Sequence, residues 1–237
     1  MHYSLLIRPL IQIIMDQTRP ELQGYDSEQI EMMEENCILV DEEDNIIGKD
    51  SKINCHLNGG KLHRAFSVLL FNMKGELLIQ KRAKEKITFP SIWANSCCSH
   101  PLHIKSEIDG VDGAKNAAKR KMEQELGINP NKIDLEKMHY ITKMRYKARA
   151  DEKWVEYEID YIFAMKCDAE ISPNKIEIED TKYVNPKELD NIFKDRNYKI
   201  GPWFRLIKEN FLNDIWKSLD YSEVAIDKKL HHMGDCE

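Results

Sequence analysis

"DGAKNAAKRKMEQELGI", Asp112 to Ile128, is the stretch on which the fold turns. Ala114, Ala117, Ala118, Met122 and Leu126 recur at helical spacing, which lines them up as one apolar stripe. Asp112 suits the cap at its start, and Gly127 can take the left-handed backbone that stops it. On either side the period changes from helical to alternating. "HRAFSVLLFNMKGELLIQKR", 63–82, reads as a hairpin: an apolar run at 65–71, a turn at Asn72–Gly75 and a second run at 77–80. "CILVDEEDNIIGKDSK", 37–52, reads as strand, acidic turn and strand. "WVEYEIDYIFAM", 154–165, puts Val155, Tyr157, Ile159, Tyr161 and Phe163 on one face and Glu156, Glu158 and Asp160 on the other. "VNPKELDNIF" is a short helix, and Pro202 starts another with Phe204, Ile207, Phe211 and Ile215 on one side. Short strands mixed with helices make this an α/β or α+β sandwich with a mixed sheet.

Composition permits that architecture. Of 237 residues, 42% are hydrophobic, enough for a substantial core. A net charge of −6 gives the whole protein no electrostatic attraction to nucleic acid or an anionic membrane, while a local basic site for a small anion stays open. Six cysteines include no C-x-x-C pair and no secreted-scaffold spacing, which points to a reducing compartment, and the cytoplasm is the expected location. Leu5 to Met15 is apolar apart from Arg8 and Pro9 and is too short to cross a bilayer; an amphipathic or organelle-targeting extension stays open for it. Ser27 suits the hydroxyl cap of a short helix carrying Ile30 and Met33. The C-terminal "HHMGDCE" is expected to fray.

"WANSCCSHP", 93–101, raises the chemical question, because two adjacent cysteines stand just before a histidine. His56 and His63 flank the glycine turn of "LNGGKL" and can converge across it. Glu156 and Glu158, i and i+2 on a strand, share a face roughly 7 Å apart and can both reach one cation. A solvated face of an edge strand explains that pair as well. Imidazole with carboxylate suits zinc, manganese or iron-type ions over calcium.

"NCHL", "LHRAFSVLLFN", "KITFPSIWANSCCSHP", "AAKRKMEQELGI", "MRYKA", "EYEIDYIF" and "GPWF" resemble, in order and spacing, the type I isopentenyl-diphosphate isomerases, over about residues 35–220. The resemblance implies a Nudix-like α/β/α sandwich at 36–220, an N-terminal extension at 1–35 and a tail at 221–237. It implies interconversion of isopentenyl and dimethylallyl diphosphate. By position, Cys98 matches the active-site cysteine, with Cys97 its neighbour. His56, His63, His100, Glu156 and Glu158 match metal ligands, and Glu158 is also the second catalytic residue. Tyr146 matches a tyrosine bonded near that glutamate, and Trp203 the tryptophan closing the hydrocarbon pocket. Lys52, Arg82 and Lys86 match cationic positions around the diphosphate. Glu125 matches the glutamate holding a magnesium ion that bridges to it. Lys121 stands where arginine is common, and Ser99 can donate a further hydrogen bond. The cofactors expected are Mg²⁺ with the diphosphate and one divalent ion, Zn²⁺, Mn²⁺ or Mg²⁺, at the His/Glu site. A flavin or nicotinamide is not expected, since no glycine-rich dinucleotide fingerprint is evident. The expected partner is the small diphosphate alone, with neither nucleic acid nor membrane, and a monomer is expected, a dimer being the alternative.

Moving a proton along an unactivated alkene passes through a tertiary carbocation or something close to it. That requires an acid and a base on opposite faces, exclusion of water and negative charge or a π face near the cation. Cys98, Glu158 and Trp203 offer these groups; a core anchor at a helix start is the plainer account of Trp203. The Nudix signature departs in one respect. Arg120, Met122, Glu125, Gly127 and Ile128 fit it, but Lys121 and Gln124 replace glutamates and Ser106 stands at the glycine position. Losing metal-gathering carboxylates favours binding a diphosphate without cleaving it. A Nudix diphosphate hydrolase is the alternative, and a zinc-binding interaction module is a further one, for which closed cysteine-rich coordination would be the mark.

Overall fold

The computed structural model describes residues 19–218 and 226–236. In chain order the elements are α1 (Ser27–Met33), β1 (Asn36–Val40), β2 (Ile46–Ser51), α2 (Lys52–His56), β3 (His63–Phe71), β4 (Leu77–Arg82), β5 (Trp93–Ala94) and β6 (Cys97–Ser99). There follow α3 (Gly110–Leu126), β7 (Met138–Arg149), β8 (Val155–Lys166), β9 (Ile178–Val184), α4 (Pro186–Lys194), α5 (Pro202–Ile207), a π turn at Lys208–Leu212, α6 (Asn213–Lys217) and β10 (Leu230–Cys236).

β3 is the axis. It runs parallel to β8, with His63 opposite Glu158, and antiparallel to β6, with Ser67 opposite Cys98. The main sheet order is β10-β7-β8-β3-β1-β2, and β4 leaves β3 after the Phe71–Leu77 pair to join β5 and β9. Every residue of β3 is buried, because a strand covered on both faces has no solvent side. Its side chains still alternate. Leu69 and Phe71 join a core with Leu189, Ile192, Phe204, Ile207 and Ile215 from α4, α5 and α6. Phe66, Val68 and Leu70 join a second core with Ala114, Ala117, Ala118, Met122 and Leu126 of α3. The sheet is therefore covered by helices on both faces, an α/β/α sandwich.

Several local expectations need correction. α3 begins at Gly110, so Asp112 lies inside the first turn instead of capping it, and Asp109 at the N-cap makes no side-chain cap bond. Asp26, not Ser27, caps α1, because its carboxylate reaches the amides of Glu28 and Gln29. The π turn inserts a residue into the C-terminal helical stretch, so Leu212 takes the buried place expected of Phe211. "HHMGDC" does not fray; it pairs with β7 as a parallel edge strand. Within the N-terminal extension, Leu22, Ile30 and Met33 pack with Ile53, Ile87 and Trp154 in a third core. The helix stop at Gly127 is as expected, with φ +65°. The targeting reading of Leu5–Met15 lies outside the described residues, as do residues 219–225.

Candidate active site

Strand register assembles the site. Tyr146 on β7 stands opposite Glu158 on β8, and Glu158 stands opposite His63 on β3, a row of three side chains across neighbouring strands. His56 arrives from the last turn of α2, whose cap Ser51 bonds the Asn54 amide. His100 arrives from the chain just beyond β6. Arg120 steadies that segment, with a fork onto Glu107 at 2.7 and 2.9 Å and a bond to the His100 carbonyl at 3.3 Å.

His56, His63, His100 and Glu158 offer ligand atoms within 4.8 Å of one another, all buried. His56 Nδ1 donates to the Lys52 carbonyl and His63 Nδ1 to the Lys61 carbonyl, both at 2.7 Å. A carbonyl can only accept, so each ring is fixed with its Nε2 lone pair free. Those two Nε2 atoms are buried without a hydrogen-bond partner. His100 Nε2 meets Glu158 Oε1 at 2.7 Å, and His63 Nε2 stands 3.6 Å from the same oxygen. Orphaned imidazole nitrogens converging on a buried carboxylate fit a divalent cation. Glu156 is not in this set. Its carboxylate lies 3.2 Å from Tyr146 Oη and accepts from Thr88 Oγ1 at 3.3 Å.

The electrostatics follow from burial and pairing. Burial pushes His100 down to about 3, against its bond to Glu158. Burial, then the charges of His63 and His100, pushes His56 well down. Burial also opposes the charged form of His63, but its contact with Glu158 outweighs this and raises it. Glu158 is held well below the usual carboxylate range, because His100 and His63 overcome its desolvation. Burial and the neighbouring Glu158 charge raise Glu156 to about 7. Burial pushes the Cys98 thiol up to about 12, with Arg82 pulling the other way. Burial thus favours the protonated thiol, and the two histidines favour the ionised form of Glu158.

One pocket collects Lys52, Arg82, Lys86, Cys98, Ser99, His100, Tyr146, Glu156, Glu158 and Trp203 among its lining. Trp203 is held by a bond from its Nε1 to Asn95 Oδ1 at 2.9 Å and by the edge-on ring of Phe89 at 5.3 Å. Lys121 and Glu125 do not line it. They pair with each other at 3.2 Å behind the wall, where Glu125 Oε1 makes no hydrogen bond. None of the described residues 19–35 lines the pocket. Thr88, Ser67, Asp160, Asn95 and Glu177 were missed by sequence reasoning. Asp160 carried a signal, being the next residue on the face of Glu156 and Glu158; the others are ordinary polar residues whose roles depend on contacts far along the chain.

A Nudix domain model matches residues 61–204. The chain is 48% identical over 228 residues to isopentenyl-diphosphate delta-isomerase of Gibberella zeae, covering 92% of this chain and 89% of that one. It is 43% identical over 223 residues to that of Schizosaccharomyces pombe, covering 90% and 97%. It is 44% identical over 218 residues to isopentenyl-diphosphate delta-isomerase of Mesocricetus auratus, covering 88% and 96%. A Nudix hydrolase structure from Alicyclobacillus acidocaldarius superposes with a TM-score of 0.53 at 10% identity, over 70% of this chain and 98% of that one, a likeness of fold alone. Its Nudix sandwich and its relatives together place this chain in the isopentenyl-diphosphate delta-isomerase family.

Proposed function

We infer that the protein is an isomerase that interconverts isopentenyl and dimethylallyl diphosphate by a proton shift. The observation that carries the reading is that a thiol, Cys98, and a carboxylate, Glu158, line one pocket. They sit on the strands flanking β3, β6 and β8. A reversible shift needs one group that holds a proton and one that lacks it. One delivers a proton to the terminal CH₂ of isopentenyl diphosphate, and the other takes a proton from the carbon next to the cationic centre, so no net proton is gained. Tyr146 donates to Glu158 Oε2 at 2.6 Å and fixes the carboxylate in the pocket. Trp203 supplies an apolar π face to the cation, and its buried ring helps exclude water.

Lys52, Arg82, Lys86 and Ser99 are the groups for the diphosphate. Mg²⁺ with the diphosphate, with Glu125 as its carboxylate ligand, completes this reading. His56, His63, His100 and Glu158 would hold the second cation, Zn²⁺, Mn²⁺ or Mg²⁺. Bound there, it would orient Glu158 and supply positive charge that sets the carboxylate's proton affinity. Among the described residues no helix is long and apolar enough to cross a membrane.

The test is incubation with isopentenyl diphosphate and Mg²⁺ in deuterated water, followed by NMR. Dimethylallyl diphosphate with deuterium in a methyl group is expected. Released phosphate would favour the hydrolase instead, and unchanged substrate with metal bound would leave only the binding-module reading.

A further inference from the structure

Behind the pocket wall, buried charges alternate in sign. Lys86 Nζ donates to Glu177 Oε2 at 2.6 Å. Lys121 Nζ stands 3.9 Å from that same oxygen and 3.2 Å from Glu125 Oε1. All four residues are more than nine-tenths buried. Only Lys86 lines the reaction pocket; Lys121 and Glu177 line a separate hollow beneath α1. The second Glu177 oxygen accepts from Gln29 Nε2 at 2.5 Å, and Gln29 belongs to α1. The Glu177 carbonyl also accepts from the Ala83 amide at 3.0 Å, and the Ala83 carbonyl in turn accepts from the Lys86 amide at 3.3 Å. Glu177 thus grips both the turn that carries Lys86 and the tip of its side chain.

We propose that Glu177 is a positioning residue for the diphosphate: it holds the Lys86 ammonium at the pocket wall, and Gln29 of the N-terminal helix fixes Glu177 in turn. The proposal rests on the isomerase reading, in which Lys86 contacts the diphosphate. A lysine ammonium is a point charge on a long flexible stem. One already ordered at the wall loses less freedom when an anion arrives. The carboxylate that orders it also repels the anion, and here Lys121 offsets that charge from the far side. Lys121 therefore serves the diphosphate through Glu177, not by touching it. The described N-terminal helix, none of whose residues lines the pocket, becomes part of substrate recognition through Gln29.

The sign of one measurement decides between positioning and simple charge. Glu177→Gln keeps the side chain's length and removes its charge. Binding of inorganic diphosphate with Mg²⁺ is measured by calorimetry, beside steady-state kinetics with isopentenyl diphosphate. If Glu177 positions Lys86, Kd and KM rise about tenfold while kcat stays within about twofold, and Gln29→Leu moves both the same way by about threefold. In a Lys86→Ala background, Glu177→Gln should then add nothing further to Kd. Tighter diphosphate binding by Glu177→Gln would mean that the residue acts only as a repelling charge and would overturn the proposal. So would an unchanged Kd accompanied by a lowered melting temperature, or an undiminished effect in the Lys86→Ala background. Should Glu177→Gln not fold, Gln29→Leu alone decides, an unchanged Kd refuting the link. The calorimetric arm does not depend on turnover, so a wild-type protein that binds diphosphate without isomerising would sink the isomerase reading separately.

Discussion

Trp203 is where packing and charge stabilisation can be told apart. Its ring is 2% exposed, its Nε1 donates to Asn95 Oδ1, and the Arg82 guanidinium lies 5.6 Å from the ring. Trp203→Phe keeps an aromatic face and drops the indole N–H. Asn95 cannot turn to compensate, because its amide nitrogen is engaged by the carbonyls of Val68 and Cys97 at 3.2 and 3.1 Å. Its Oδ1 is then left buried without a donor, which costs about 1–3 kcal/mol of stability. Trp203→Ala removes the ring and leaves a cavity, at about 3–5 kcal/mol. Turnover should separate differently. A desolvated cation over an aromatic face gains about 2 kcal/mol. At about 1.36 kcal/mol per tenfold, losing that contact lowers kcat about 30-fold. Trp203→Phe should therefore lose several-fold and Trp203→Ala at least about 30-fold, with KM moving little because the charge exists only in the transition state. The assay is kcat by NMR, run well below the melting temperature of both variants. An equal loss of kcat in the two would mean that Trp203 only fills space.

Cys98→Ala should fold normally and lose about 10²–10⁴-fold in kcat, measured in the same assay, and full activity would dismiss the thiol's role. With its pKa pushed up to about 12, Cys98 should be alkylated by iodoacetamide at pH 8 about a thousandfold more slowly than a free thiol, followed by mass spectrometry of its peptide. Its rate should still climb tenfold per pH unit above pH 9, where a free thiol levels off. Because the folded state holds that proton more tightly, this thiol's contribution to stability is full below pH about 8.5 and is lost as pH rises toward its folded value. Glu158→Gln should lower both turnover and the metal content found by elemental analysis, and unchanged values of either would count against ligation. Gly127→Ala places a methyl 2.2 Å from the Ser172 carbonyl oxygen at φ +65°, so it should cost more than about 1 kcal/mol in denaturant unfolding.

What the sequence made legible was what its periodicity and spacing encode. The stripe on α3 and the alternation of β8 both lie in their expected cores, and Glu156, Glu158 and Asp160 share a face as the period of two requires. Three histidines and Glu158 meet because β3 and β8 pair in register, which no local pattern announces. Glu156 shows the limit of spacing arguments. It shares the face of Glu158, yet its carboxylate is taken up by Tyr146 and Thr88, and Thr88 lies 68 residues away. Lys121 shows the same limit from the other side. Being one turn from Glu125 was readable; that both lie behind the wall was not, because it depends on Glu177 arriving from the segment before β9. The parallel edge strand at the C-terminus was hidden by polar composition, since an outermost strand needs little burial to pair.

The positions of Lys121 and of the histidine cluster also bear on why a Nudix scaffold would move a proton instead of cleaving a diphosphate. Cleavage calls for cations gathered on the α3 helix, where they can deliver water to phosphorus. Here an ammonium stands at one of those helix positions, and it spends its charge on Glu125 and Glu177. With Gln124 uncharged and Glu125 partly neutralised, the helix lacks the negative field that would hold several ions. The buried histidines and Glu158 that could hold a cation stand elsewhere, on α2, β3, β8 and the turn after β6, next to the thiol and tryptophan and not on α3. In the isomerase reading, a cation there would act on Glu158 as the proton-carrying group, and the surrounding burial would keep water from a carbocation. On the positioning proposal, the lysine that weakens the hydrolytic site also steadies the carboxylate holding Lys86, so one residue on α3 would both disarm cleavage and order the wall that binds the diphosphate.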